Sequence, residues 1–327
     1  MTKLTLSLAI GDYDRARPLI DGRVQVDGVD LVPSVLSPEE TFFRAFRHAE
    51  FDICELSFSS YTVKTSRDDC PYIAIPAYPS RAFRHTSLYV RKDRIKRPED
   101  LKGKRIGLPE YQLTANVWGR AILADFGVMP SDVTWVRGGL EQPGRPEKIA
   151  LNLPPEIKIE QAPADKSISQ LLSEGDIDGI LTPRMPSCNL TDPNVGWLFE
   201  DPTAAATEYY KRTGIFPIMH VVGVRKSLAD AHPWLPGALF KGFQQAKALA
   251  LDLLADTSAT KVTLPFVEEQ LVRAKELMGD DYWSYGIEPA RPTLDAFLKH
   301  HHAQGLSSRL MAPEELFHPA THEAFSV

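Results

Sequence analysis

The sequence is poor in cysteine and lacks long apolar runs. Its three cysteines, Cys54, Cys70 and Cys188, are odd in number and show no C-x-x-C spacing. That pattern excludes a disulfide framework or a zinc ribbon and points to a reducing compartment. No stretch approaches the roughly 18 uninterrupted apolar residues of a membrane span. Met1 to Ile10 has neither the apolar run nor the small-residue cleavage site of a secretory leader. A cytoplasmic protein without a membrane partner is therefore expected. An excess of positive charge is also missing, because 37 Lys plus Arg stand against 43 Asp plus Glu, a net charge of −6. No global field attracts a phosphate backbone, so nucleic acid is not an expected partner. The H-E-x-x-H motif, the phosphate loop, the dinucleotide glycine fingerprint, internal repeats and low-complexity segments are all absent.

What is present is ordinary globular material. The chain has 327 residues, 43% hydrophobic and 24% charged, enough for about two folding units with a large core. Proline is raised, 26 residues, which favours stiff loops over long bundles. Strand-like and helix-like segments alternate, predicting an α/β architecture with largely parallel sheets. Leu4 to Ile10 alternates as a strand and ends in Gly11-Asp12-Tyr13-Asp14. Glu39 to His48 has helical spacing through Phe42, Phe43 and Phe46, and Phe51 to Cys54 is a short strand with Glu55 just beyond it. Thr114 to Phe126 reads as a helix stopped by Gly127. Arg137 to Pro155 reads as a long loop, Gly214 to Val224 as a β-rich crossing segment, and Pro236 to Ala255 and Val267 to Met278 as helices.

This order predicts two lobes, one from residues 1–91 plus 221–327 and an inserted one from 92–220, joined by two crossing strands. That layout resembles the type II periplasmic-binding-protein-like fold. Specific phrases go further: Gly11-Asp12-Tyr13-Asp14-Arg15, Glu55-Leu56-Ser57, Pro79-Ser80-Arg81-Ala82-Phe83-Arg84-His85, Pro109-Glu110-Tyr111-Gln112-Leu113-Thr114, Pro183-Arg184-Met185-Pro186 and Gly214-Ile215-Phe216-Pro217-Ile218-Met219-His220. Together they resemble the 4,5-dihydroxyphthalate decarboxylase family over nearly the whole chain. The resemblance implies a cytoplasmic carboxy-lyase of aromatic catabolism acting on a small aromatic dicarboxylate. The alternative is a cytoplasmic solute-binding protein without catalysis.

The implied chemistry sets demands on the residues. A bare aryl anion is too unstable to be a leaving state, so the ring carbon must be protonated before CO2 departs. In 4,5-dihydroxyphthalate each hydroxyl lies para to a carboxylated carbon, and ionising it pushes electrons there. The site needs an acid, a base and cations for two carboxylates. His85 and His220 fall on the predicted crossing segments, so an interlobe cleft would hold both as proton carriers. Each imidazole could instead bond a backbone carbonyl across the hinge. Glu55, read at a strand's carboxyl end, is a partner for a histidine or a catechol hydroxyl; a solvated loop carboxylate is the alternative. Asp12 and Arg15 end the first strand, and Arg81, Arg84 and Arg184 are carboxylate clamps, or else surface charges. Tyr111 and Thr114 open a helix whose free amides suit an anion, unless Thr114 is simply its cap.

No cofactor is expected. The ring-protonation route needs no metal, although Glu55 and the histidines could coordinate a divalent ion. His300, His301 and His302 point about 100° apart on a helix and read as surface residues. The four-residue spacing of His318 and His322 is a weak metal signal interrupted by Pro319. Cys54 reads as a small buried hydrophobe. A homo-oligomer is compatible with an enzyme of this size.

Overall fold

The alternating segment Leu4–Ile10 forms strand β1, with Leu6, Leu8, Ala9 and Ile10 buried. The computed structural model describes residues 3–144 and 148–323. Along it follow β2 (Val29–Val35), β3 (Ile53–Ser57), β4 (Tyr72–Arg81), β5 (Leu88–Arg91), β6 (Arg105–Leu108), β7 (Thr134–Arg137), β8 (Lys158–Gln161), β9 (Gly179–Leu181), β10 (Val195–Trp197) and β11 (Ile218–Arg225). Two sheets result, in the orders β2-β1-β3-β11-β4 and β10-β5-β9-β6-β7-β8. Each sits in one unit of the chain. The first unit comprises Met1–Arg81, Ile218–Asp295 and Met311–Val327, and the second Ala82–Pro217 and Ala296–Leu310.

In the first unit β1 runs parallel to β2 and β3, while β11 is antiparallel to both β3 and β4. The carboxyl ends of β1, β3 and β4 therefore share one edge of the sheet with the start of β11. That is the edge where open α/β sheets place ligand groups. Pro76 and Pro79 are carried by β4, an outer strand of the sheet, where proline is tolerated. The centre of the sheet is tight: a Cβ on Gly223 would meet Leu56 Cδ1 at 2.4 Å. Helix Pro38–His48 begins where the Ser37 side chain accepts the Glu40 N–H, and it buries Thr41, Phe42, Ala45 and Phe46 on one face.

One expectation is corrected on β3. The strand does not stop at Cys54; all five residues of Ile53–Ser57 are buried and Glu55 is its middle residue, 0% exposed. A strand inferred from apolar runs ends at the first carboxylate, because burying an ionised group is costly unless it is paired and hydrogen-bonded. Here it is both, through His220, the Tyr13 hydroxyl and the Gly11 amide.

In the second unit β6, β7, β8 and β9 pair in parallel, and β5 joins β9 and β10 antiparallel. Its core gathers Tyr89, Val136, Ile168, Leu171, Leu172 and Ile180. Helix Thr114–Asp125 is buried along its first ten residues, and Gly127, at φ +71°, turns the chain just past its end as the sequence predicts. Arg137, the first residue of the expected long loop, closes β7; the rest carries no helix or strand in its described parts, 138–144 and 148–155, and residues 145–147 lie outside the described ones. A second correction concerns the histidine run. His302 is exposed, but His301 is 0% exposed, with its ring 5.3 Å from Phe297. Three consecutive helical residues fan out by about 100° each, so a helix lying on a core must turn one of them inward.

Candidate active site

Glu55 and His220 are separated by 165 residues and meet through strand register. Glu55 on β3 faces Val222 on β11, and His220 faces Ser57. The pair are thus diagonal neighbours on one face of the sheet, a spacing that long side chains span. The β11–β4 register shifts on both sides of His220, and such irregularities re-aim side chains next to active sites. His220 Nδ1 lies 2.5 Å from Glu55 Oε1. The carboxylate is 0% exposed and the imidazole 17%. Nδ1 is committed to the carboxylate, so Nε2 is the nitrogen left for a ligand. The ring is held edge-on by Phe42, centroids 4.9 Å apart.

Two more donors satisfy Glu55. The Gly11 N–H donates to Oε2 at 3.1 Å, and the Tyr13 hydroxyl donates to Oε1 at 2.8 Å. Burial pushes the Glu55 carboxyl upward, but the His220 charge and these hydrogen bonds outweigh it and hold the group below the ordinary carboxylate range. Burial and the Glu55 charge drive the Tyr13 hydroxyl well above the usual tyrosine range, so it stays protonated as a donor. Gly11 makes room for this: a Cβ there would meet the Tyr13 ring carbon Cζ at 2.7 Å.

Beside this cluster Arg15 donates through Nε to the Pro79 carbonyl at 2.7 Å, its guanidinium 4.6 Å from the Tyr13 ring centroid and 4.2 Å from that of Trp283. Arg81 is buried at the end of β4 and donates to the Ser284 carbonyl at 3.0 Å. The Tyr285 hydroxyl, also buried, is electrostatically coupled to Arg15, Arg81 and Glu55, with burial the main reason it resists ionisation.

The structure thus brings Glu55 and His220 together on the sheet, with Arg15 and Arg81 in the same unit. Asp12 is not joined to them; it is exposed and ion-pairs with Arg17 at 2.9 Å. The remaining candidates belong to the second unit. His85 is buried in a short 3-10 turn between the edges of Phe199 and Tyr209, at 5.2 and 5.4 Å. Burial takes its pKa down to about 4, so it is neutral at neutral pH and is no general acid there. Arg84 is half-buried and drawn down to about 10 by burial. Arg184 is exposed after β9. Tyr111 corrects an expectation: it is 0% exposed, its hydroxyl donates to the Gln304 carbonyl at 3.3 Å, and Arg120 lies 3.8 Å over its ring. That hydroxyl is spent on a backbone carbonyl instead of a ligand. Thr114 is the first helical residue, buried, with Leu113 in the cap position.

Sequence reasoning missed Tyr13, the Gly11 amide and Phe42. Only their place next to a strand end and on the apolar face of a helix hinted at them. Among the described residues no group of three or more His, Cys, Asp or Glu side chains is arranged to hold a metal ion. His318 Nδ1 accepts the Ala320 N–H, a local cap.

Comparison with known proteins adds the context. Residues 56–143 match the family described as NMT1/THI5 like. A 4,5-dihydroxyphthalate decarboxylase from Comamonas testosteroni is 60% identical over 330 aligned residues, covering 100% of both chains. Another so named, from Pseudomonas putida, is 57% identical over 64% of this chain and 83% of its own. Among solved structures, the alkanesulfonate-binding protein SsuA from Xanthomonas axonopodis matches with a TM-score of 0.53 at 15% identity, covering 98% of each chain. A protein of Archaeoglobus fulgidus matches with a TM-score of 0.52 at 16% identity, covering 92% of this chain and 98% of that one. The fold is thus that of the solute-binding proteins.

Proposed function

The chain belongs to the 4,5-dihydroxyphthalate decarboxylase family and is a carboxy-lyase, and from that premise we propose that it removes one carboxylate from 4,5-dihydroxyphthalate by protonating the ring at the Glu55–His220 pair. The observation that carries this reading is the contact between His220 Nδ1 and a fully buried Glu55 carboxylate. A buried carboxylate on Nδ1 stabilises the imidazolium and leaves Nε2–H to protonate a carbon.

The steps balance as follows. The hydroxyl para to the departing carboxylate gives its proton to solvent, and the resulting oxyanion pushes electron density onto the carboxylated carbon. Nε2–H of the imidazolium delivers its proton to that carbon, forming a C–H bond. The C–CO2 bond then breaks, its electron pair returns to the ring, and the para oxygen regains a proton from solvent. Carboxylate plus one proton becomes C–H plus CO2, and His220 is reprotonated from solvent. Arg15 and Arg81 supply positive charge for the carboxylates within the first unit, and planar guanidinium groups suit that task. Arg84 and Arg184 are the corresponding candidates in the second. His85 is not assigned the ring-protonating role, because its imidazole is neutral at neutral pH and a neutral imidazole is no acid there.

A cytoplasmic location goes with this reading, and it is supported by Cys54, Cys70 and Cys188 all being buried free thiols. No helix among the described residues is long and apolar enough to cross a membrane. Binding without catalysis is the less favoured reading, given two high-identity relatives named as decarboxylases.

The test is to incubate chelator-treated protein with 4,5-dihydroxyphthalate and follow CO2 and the monocarboxylic catechol. Turnover is expected, with His220→Gln losing at least about a hundredfold in kcat while still binding substrate. An inactive wild type, or an unimpaired His220→Gln, overturns the reading.

A further inference from the structure

Glu55 Oε1 accepts two hydrogen bonds, one from His220 and one from Tyr13 at 2.8 Å. The Gly11 amide occupies Oε2. Three donors, one from β11 and two from the turn after β1, therefore converge on a single 0% exposed carboxylate. We infer that Tyr13 is a positioning residue of the Glu55–His220 pair: by sharing Oε1 it keeps the negative charge on Glu55 and the Nδ1 proton on His220, so that Nε2 is the nitrogen presented to substrate. This inference rests on the proposed role of the pair and adds a residue to it.

The reasoning is one of competition. A carboxylate that already accepts a hydroxyl hydrogen bond is better stabilised as the anion and is a weaker base. Keeping the carboxylate ionised leaves Oε1 an acceptor for the Nδ1 proton, which fixes the tautomer. The Tyr13 ring is placed for this by its neighbours. Gly11 gives it space, and Arg15 lies 4.6 Å over its centroid. The titratable and charged groups around the carboxylate are few: His220 from β11, Tyr13 and Arg15 from the segment after β1, Tyr285 from the segment before helix Ile287–Ala303, and the neutral Cys54 thiol beside it on β3.

Tyr13→Phe removes the hydroxyl and keeps the ring. Glu55 then becomes the stronger base, its hold on the imidazolium tightens, and the His220 midpoint moves to higher pH, whichever limb of the rate profile His220 sets. The expected result is about a tenfold loss in kcat, KM within about twofold, and an upward shift of that midpoint. Gly11→Ala, whose Cβ would push the ring away, should move the midpoint in the same direction. Ring-nitrogen NMR of His220 in the free protein reads tautomer and midpoint without turnover. An unchanged midpoint and tautomer in Tyr13→Phe overturns the inference even if activity falls, because a packing role alone would not move them. A wild type that fails to turn over 4,5-dihydroxyphthalate, but whose His220 midpoint responds to Tyr13→Phe, overturns the substrate reading and leaves this one standing.

Discussion

Glu55 is the residue on which the site's chemistry and the fold's stability meet. Its carboxyl is held below the ordinary value of 4.5, against the push of burial, by the His220 charge and three hydrogen bonds. A group with a depressed folded value binds fewer protons folded than unfolded, so its contribution to stability is present above the unfolded value and is lost as pH falls through the folded one. Glu55→Gln removes that term. Wild type should lose more thermal midpoint than Glu55→Gln between pH 7 and pH 3; equal losses would show that another group dominates. The variant should also lose about a hundredfold in kcat, since an amide leaves the imidazolium without its counter-charge. Glu55 and His220 were legible as residue types suited to proton transfer at strand ends. A histidine partner for Glu55 was legible as one of two options, but which histidine was not, because that depends on which residue of β11 faces which residue of β3. Tyr13 was less legible still: it sits beside an acceptor only because Gly11 lets the turn fold back.

Elements hold these side chains in place, and helix Pro38–His48 shows how. Through Phe42 it presses on the His220 ring, and its ends are set by local chemistry: the Ser37 side chain accepts the Glu40 N–H, and Ala49 closes it in the left-handed region at φ +47°. A non-glycine residue there is strained by its Cβ. Ala49→Gly should therefore stabilise the protein by about 0.5–1 kcal/mol, read as a higher urea midpoint with an unchanged m-value and unaltered turnover. A lower midpoint would mean that the entropy of the unfolded glycine outweighs the relief. The helix itself was legible, because apolar residues at three- and four-residue spacing between a serine cap and a basic last turn describe it. The register shifts flanking His220 on β11 were not. An irregular strand has the same alternation of residue types as a regular one, and only its pairing with β4 reveals the shift.

Across the whole molecule, acid should act on the two units through different groups. In the second unit His85 is driven by burial from 6.5 to about 4, so the unfolded chain binds a proton that the folded one refuses between those values. Stability conferred by this group is full above the unfolded value and falls as pH drops through that window, by about 3 kcal/mol if the whole shift is realised. In the first unit the Glu55 term begins only lower, beneath the carboxylate value of 4.5. His85→Phe places an apolar ring between Phe199 and Tyr209 and deletes the histidine term. Its urea midpoint should change much less between pH 7.5 and pH 4.5 than that of wild type. If wild type and variant decline in parallel, the His85 imidazole is not what resists the proton, and its assignment as a neutral group that is not the ring-protonating acid falls with it. The same comparison bears on why two similar candidates in the sequence part company in the structure. His85 follows the end of β4 and His220 lies near the start of β11, yet His220 Nδ1 is in direct contact with a carboxylate, whereas His85 feels Asp125 only through its charge. A histidine packed among aromatic edges is held neutral by burial, whereas His220 has a buried carboxylate on Nδ1, which is why the proposed ring protonation is placed on it.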